Sequence, residues 1–223
     1  MIKNLLFDLD NTLYPASSKM DKGITNRMIQ FCAQFFGISM AEATQRRKEA
    51  LKKYVSTLEW LKAGGLTSEG IEAYFSAVHP KDEINELEEN PKLRPLLESI
   101  HQKKAILTNS PKEHAEHVLD FFGIRDLFLP QISDIRANGF LGKPFDIAYK
   151  NALKIVGGTV EDTIFLDDYP PYVEGFAKIG GKAVLVGRNE WDSRRATLFS
   201  GKIFRIDSIF DFPDFLRKNV QTC

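Results

Sequence analysis

Four short apolar runs, each giving way to a polar or turn segment, constrain the fold of this chain more than any other feature. They are Ile2 to Leu6, interrupted by Lys-Asn, then Ala105–Thr108, Thr163–Leu166 and Ala183–Val186. Runs of this length, aliphatic and often β-branched, read as strands buried on both faces. Helical patterns separate them, and strands that alternate with helices predict a mostly parallel, doubly wound α/β sheet. The helix ends are legible as well. Ser110-Pro111-Lys112-Glu113 supplies a capping hydroxyl, a proline for the first helical position and a Glu that can close a capping box, so a helix is expected over 111–122, stopped by Gly123. Pro144 opens another that ends near Gly157, and Pro171 a third that ends at Gly180.

Between Pro15 and about Pro91 the β-branched runs disappear. Ile24, Met28, Phe31, Cys32 and Phe35 share one helical face before Gly37, and Ser39 with Glu42 marks the next helix start. Further helical stretches cover Tyr54–Lys62 and Ile71–Val78, with breaks at Gly64-Gly65 and His79-Pro80. The expected organisation is a discontinuous α/β core over 1–15 and 92–223, with a helical cap inserted over 16–91. The linkers near Pro15–Ser18 and Asn90–Arg94 are the expected hinges.

Composition removes several classes of function. Thirty Lys+Arg balance thirty Asp+Glu, so no net field would hold the chain on a nucleic acid polymer or an anionic membrane. No window reaches the ~18–20 apolar residues of a membrane span. Cys32 and Cys223 are far apart, the second at the chain end, which speaks against a structural disulfide. The opening MIKNLLFDLD turns acidic too soon for a secretory leader. A cytoplasmic location is expected.

The chemistry-bearing residues cluster where strands end or the next helix begins: Asp8-Leu9-Asp10-Asn11-Thr12, Thr108-Asn109-Ser110, Gly142-Lys143-Pro144 and Asp167-Asp168. In open parallel sheets the crevice beyond those strand ends receives ligands, so the four clusters are expected to converge. Several carboxylates brought together repel one another unless a hard cation compensates, and Mg²⁺ favours oxygen ligands. Such a site permits Asp8 to attack phosphorus and form an aspartyl-phosphate, with Asp10 protonating the leaving alcohol and later deprotonating water. Thr108 and Ser110 at a helix start, with Asn109, would face the phosphoryl group, and Lys143 would add a fixed positive charge. Asn109 and Thr12 have a plainer role as turn residues.

These parts resemble the haloacid dehalogenase superfamily, whose phosphatases carry D-x-D-x-T, then a Ser/Thr after the second strand, a Lys and an acidic pair. Here they stand in that order as Asp8/Asp10/Thr12, Thr108, Lys143 and Asp167/Asp168. The resemblance implies a Rossmann-like core with an inserted helical cap and an aspartyl-nucleophile, Mg²⁺-dependent phosphomonoester hydrolase. In it Asp8 is the nucleophile, Asp10 the acid/base, Thr108 and Lys143 hold phosphate, and Asp168, assisted by Asp167, binds metal. The backbone carbonyl of Asp10 is a further implied ligand. Phe7–Pro15, Thr108–His117 and Gly123-Ile124 are similar to the pyrimidine 5′-nucleotidase branch, which implies a nucleoside 5′-monophosphate as substrate. Two stretches depart from that branch. Tyr169-Pro170-Pro171-Tyr172 follows the acidic pair where a Ser and then an Asn are usual, and Val55-Ser56-Thr57-Leu58 replaces a Gly-Thr-Thr-Leu-like stretch.

Two alternatives stay open: carbon–halogen hydrolysis, against which Asp10 argues, and a non-catalytic phosphate-sensing or partner-binding relative. His114 and His117 are expected at the surface of their helix, without a zinc role. Phe31, Phe35, Phe36, Trp60, Tyr74 and Phe75 are expected to pack the cap rather than stack on a base.

Overall fold

Asn4–Phe7 form the first strand, β1, and all four residues are buried. In the computed structural model, which describes residues 1–187 and 197–219, β1 pairs in parallel with β2 (Lys103–Ile106) on one side and β3 (Thr163–Asp167) on the other. β4 (Lys182–Val186) and β5 (Ile203–Ile206) extend the sheet beyond β3, giving the order β2-β1-β3-β4-β5 among the described residues. The sheet is parallel throughout. In this strand order the direction of winding reverses between β1 and β3, and the crevice beyond that switch point is the ligand position of doubly wound sheets. The register is what matters for function. Phe7 lies opposite both Ile106 and Leu166, so the residues after it, Leu107 and Asp167, continue at the level of Asp8.

The helices follow the sequence cues with two informative shifts. α5 (Leu93–Glu98) leads into β2, α6 (Lys112–Phe121) and α7 (Asp146–Val156) lie between β2 and β3, and α8 (Pro170–Lys178) joins β3 to β4. Gly157, at φ 69°, closes α7 as expected of a left-handed cap residue. Ser110, however, does not cap α6, whose cap residue is Pro111 without a side-chain cap bond. The Asp134 carboxylate accepts the Lys112 N–H at 3.0 Å instead, because the Ser110 hydroxyl is spent inside the crevice. α7 likewise begins two residues after Pro144. β5 and the terminal helix α9 (Phe212–Asn219) carry weaker signals than the other elements. β5 is a four-residue edge strand that buries only Ile203 and Ile206 and exposes Arg205.

One face of the sheet packs Leu6, Phe165 and Leu185 against Tyr149 of α7 and Phe176 of α8. On the other face Phe7 meets the edges of Phe128 and Phe212, with ring centroids 5.7 and 6.2 Å away. No described helix is long and apolar enough to cross a membrane.

The chain divides into two compact units, Met1–Ala16 with Glu89–Cys223 and Ser17–Glu88. The second is helical: α1 (Lys19–Phe36), α2 (Met40–Ala50), α3 (Thr57–Ala63), α4 (Ser68–Val78) and a 3-10 turn, Lys81–Glu86. Ser39 accepts the Glu42 N–H at 3.2 Å and caps α2. Ser56 caps α3 by accepting the Glu59 N–H at 3.2 Å, so that helix starts after Tyr54 rather than at it. On α1 the deepest residues are Met20, Ile29, Cys32 and Ala33, while Ile24, Met28, Phe31 and Phe35 are half-buried. The aromatic residues pair with one another, Phe31 edge-on to Tyr74 at 5.2 Å and Phe36 against Trp60 at 4.8 Å. Arg27 ties α1 to the 3-10 turn through Glu83 and Glu86. Cys32 is buried as a free thiol, and Cys223 lies outside the described residues.

Candidate active site

β1 ends in a turn that folds back on itself. Asn11 adopts φ 63°, a left-handed conformation that Asn tolerates better than most residues. Leu13 N–H then reaches Leu9 C=O at 3.0 Å. The turn returns Thr12 beneath Asp8, where its hydroxyl donates to Asp8 Oδ2 at 3.3 Å. Asp8 itself continues the sheet, its N–H donating to Leu166 C=O at 2.9 Å. This ladder bond sets the Asp8 side chain beside that of Asp167.

Lys143 lies between the two carboxylates. Its ammonium donates to Asp8 Oδ1 and to Asp167 Oδ2, each at 2.5 Å, and all three side chains are nearly or wholly inaccessible to solvent. Burial opposes the Lys143 charge, but Asp167 and Asp8 outweigh it and hold the ammonium above its ordinary pKa. Burial also raises Asp8 against the pull of Lys143, with the charge of Asp10 adding to the rise. Asp167 is driven up furthest. Complete burial is the main cause, Lys143 opposes it, and the negative charges of Asp8 and Asp168 reinforce it. One fixed cation thus faces several carboxylates, and the centre stays short of positive charge.

Oxygen atoms of Asp8, Asp167 and Asp168 all lie within 4.8 Å of one another. An all-carboxylate donor set of this size fits a hard divalent cation such as Mg²⁺. The carboxylate of Asp10 belongs to a different arrangement. Its Oδ1 accepts from the Tyr14 hydroxyl at 2.5 Å and lies 2.7 Å from His114 Nε2, while Oδ2 accepts from the Ser110 hydroxyl at 2.8 Å.

The remaining residues hold this frame. Asn109 brackets the main chain of Lys143: its Oδ1 accepts the Lys143 N–H at 2.7 Å and its Nδ2 donates to the Lys143 C=O at 3.0 Å. Such close approach requires Gly142, because a Cβ there would stand 2.2 Å from Asn109 Oδ1. Thr108 is buried, and its hydroxyl oxygen accepts the Ser110 N–H at 3.0 Å. The Tyr172 ring lies 4.9 Å from the Lys143 ammonium, and Phe165 contributes a second ring at 5.4 Å. Tyr172, which departs from the sequence resemblance, thus sets an aromatic face against Lys143.

Every residue singled out in the four clusters lies in the α/β unit, and the structure brings Asp8, Asp167, Asp168 and Lys143 together. It directs the side chains of Asn109 and Ser110 to Lys143 and Asp10. Two partners escaped the sequence reading. Tyr14 carried no signal beyond its place after the motif. His114 is 1% exposed rather than on the surface. Its distance of four residues from Ser110, which puts both on one side of the helix start, is the signal that pointed inward. His117 is half-buried.

A parallel sheet with an acidic, lysine-bridged centre at its switch point is a Rossmann-like α/β core with its polar groups gathered where such sheets receive ligands. The model of the haloacid dehalogenase-like hydrolases matches residues 2–180, and the chain belongs to that family. Solved structures of the same fold include a haloacid dehalogenase-like hydrolase from Streptococcus pneumoniae, 17% identical over 96% of this chain and 98% of that one, with a TM-score of 0.65. A phosphatase of the family from Thermococcus onnurineus is 18% identical over 96% and 98%, with a TM-score of 0.64. L-2-haloacid dehalogenase from Xanthobacter autotrophicus is 20% identical over 99% and 100%, with a TM-score of 0.61.

Proposed function

We propose that this hydrolase acts on phosphomonoesters, with Asp8 as nucleophile and Mg²⁺ held by Asp8, Asp167, Asp168 and the backbone carbonyl of Asp10. The observation that carries this reading is the division of carboxylates: three gather their oxygens within 4.8 Å, and the fourth, Asp10, is bonded by Tyr14 and Ser110. Hydrolysis at phosphorus needs both sets, one to compensate charge and one to move protons. When bound, the ion offsets the negative charge of nucleophile and phosphoryl group together.

Asp8 attacks phosphorus, an Asp8–phosphorus bond forms, and the ester P–O bond breaks with its electron pair on the departing oxygen. Asp10 gives that oxygen a proton, releasing the alcohol. Asp10, now a carboxylate, takes a proton from water as the water oxygen attacks phosphorus. Inorganic phosphate leaves and Asp8 is restored. Thr108 and Lys143 hold the phosphoryl oxygens, with the Thr108 hydroxyl oriented by the Ser110 N–H that it accepts. Lys143 is fixed for this by Asn109 and the Tyr172 ring. Thr12 keeps Asp8 in place.

The substrate assigned is a nucleoside 5′-monophosphate with a pyrimidine base. Its support is the resemblance of Phe7–Pro15 and Thr108–His117 to the pyrimidine 5′-nucleotidase branch. A panel that follows phosphate release from pyrimidine and purine monophosphates and sugar phosphates, and chloride release from 2-chloropropionate, run with and without chelator, tests the reading. Metal-dependent phosphate release that disappears in Asp8→Asn is expected. Halide release without phosphatase activity would replace the reading with carbon–halogen hydrolysis.

A further inference from the structure

Asp8 and Asp10 are both held by short hydrogen bonds, but by partners of opposite character. Lys143 can only donate, and its ammonium bonds one oxygen each of Asp8 and Asp167. On Asp10 two hydroxyls and an imidazole lie within hydrogen-bond distance: Tyr14 at 2.5 Å, Ser110 at 2.8 Å and His114 at 2.7 Å. Each of these can donate or accept, the hydroxyls by rotation and the imidazole by tautomer. Contacts of this kind persist whether or not the carboxyl group carries a proton.

The support behind them is rigid. The His114 side chain is wholly buried while that of Asp10 keeps 23% of its surface open. The carboxyl group is thus anchored on a buried imidazole while part of the Asp10 side chain stays open to solvent. The anchors trace to a single segment. Ser110 and His114 sit at the start of α6, and Phe122 at its end stacks on the Tyr14 ring at 6.0 Å. α6 therefore fixes Asp10 directly through two side chains and indirectly through a third.

We propose that His114, with Tyr14 and Ser110, is a positioning residue that holds the Asp10 carboxyl group toward the departing ester oxygen and away from the Asp8–Asp167–Asp168 cluster. The inference rests on the phosphatase reading above and adds to it the residues that orient the proton carrier. Losing the imidazole lets the carboxyl group rotate, which degrades proton delivery while leaving the nucleophile in place.

The test compares kcat/KM of wild type, His114→Ala and His114→Gln on an alkyl phosphate and on p-nitrophenyl phosphate. For a covalent mechanism kcat/KM reports the steps through leaving-group departure. A nitrophenolate departs without a proton, whereas an alkoxide does not. A general acid supplies ~100–10,000-fold, and His114→Ala is expected to forfeit part of it, ~10–100-fold on the alkyl ester, with a loss of under ~3-fold on the aryl ester. Gln, whose amide nitrogen occupies much the same place as Nε2, is expected to restore most of the alkyl activity. Equal losses on both esters, or no recovery with Gln, would reduce His114 to a packing residue and overturn the proposal.

A second readout needs no turnover. The Nε2–H proton of His114, assigned by its absence in His114→Gln, is expected to be deshielded and slow to exchange in wild type and to lose both properties in Asp10→Ala. If wild type hydrolyses no phosphomonoester, the phosphatase reading falls and this signal decides the contact alone. A His114 proton indifferent to Asp10→Ala would overturn it.

Discussion

Replacing Lys143 by Met exposes the electrostatic logic of the centre without opening a cavity. Met preserves most of the stem volume against Phe165 and Tyr172 and removes the ammonium that donates to Asp8 and Asp167 at 2.5 Å each. Two hydrogen bonds to charged groups are lost at ~1.5–3 kcal/mol apiece, in line with the ~3–5 kcal/mol cost of removing one partner from a buried ion pair. In a chain of this size that is a fall in Tm of ~6–20 °C in metal-free buffer at neutral pH. The pH dependence has a definite sign. Burial already raises the pKa of Asp8 and Asp167, and losing Lys143 removes the influence that opposes the rise. A folded chain whose carboxyl pKa values are raised binds protons that the unfolded chain has released, so the variant gains stability as pH falls toward the ordinary carboxylate range. The deficit relative to wild type is thus largest near neutrality and shrinks on acidification. Thermal melts of both proteins from about pH 8 to about pH 5, with chelator, measure it. A Lys143→Met protein that melts with wild type at neutral pH, or a deficit that widens in acid, would refute the reasoning.

Gly142→Ala puts a methyl group 2.2 Å from Asn109 Oδ1 and should cost ~1–3 kcal/mol, read as a lower urea midpoint, with weaker phosphate binding as Lys143 shifts. Tyr172→Leu removes the ring over Lys143 and should cost ~0.5–2 kcal/mol beyond its packing loss, whereas Tyr172→Phe should keep that part. Burial raises the Cys32 thiol to about 11, so its alkylation by iodoacetamide, followed on the Cys32 peptide, should stay slow at pH 8 and accelerate only in strong base or denaturant. Rapid labelling at pH 8 in the native protein would show that α1 does not bury it.

What the sequence made legible was the level of strand ends and what it could not reveal was orientation. The abrupt change from Phe7 to Asp8, and from Leu166 to Asp167, marks where buried strands meet a crevice, and the parallel register brings those steps together. Short-range cues at Ser39 and Gly157 translated directly into caps because nothing distant competes for them. Ser110 obeys the same local rule on paper, yet its hydroxyl goes to Asp10, a hundred residues earlier. His114 looked like an ordinary exposed helical histidine for the same reason: its partner comes from another strand's loop. Tyr172 was visible as a departure, but that its ring would face Lys143 follows only from how α8 packs beside β3. β5 escaped because an edge strand needs few apolar residues and shows no continuous run.

The central claim is that Asp8 carries the phosphoryl group. Rapid acid quench of the protein with Mg²⁺ and a ³²P-labelled phosphomonoester, followed by peptide mapping, tests it directly. Label on the peptide containing Asp8, sensitive to hydroxylamine and lost in Asp8→Asn, is the predicted result. Steady release of phosphate with no label at Asp8 and undiminished turnover in Asp8→Asn would contradict the account.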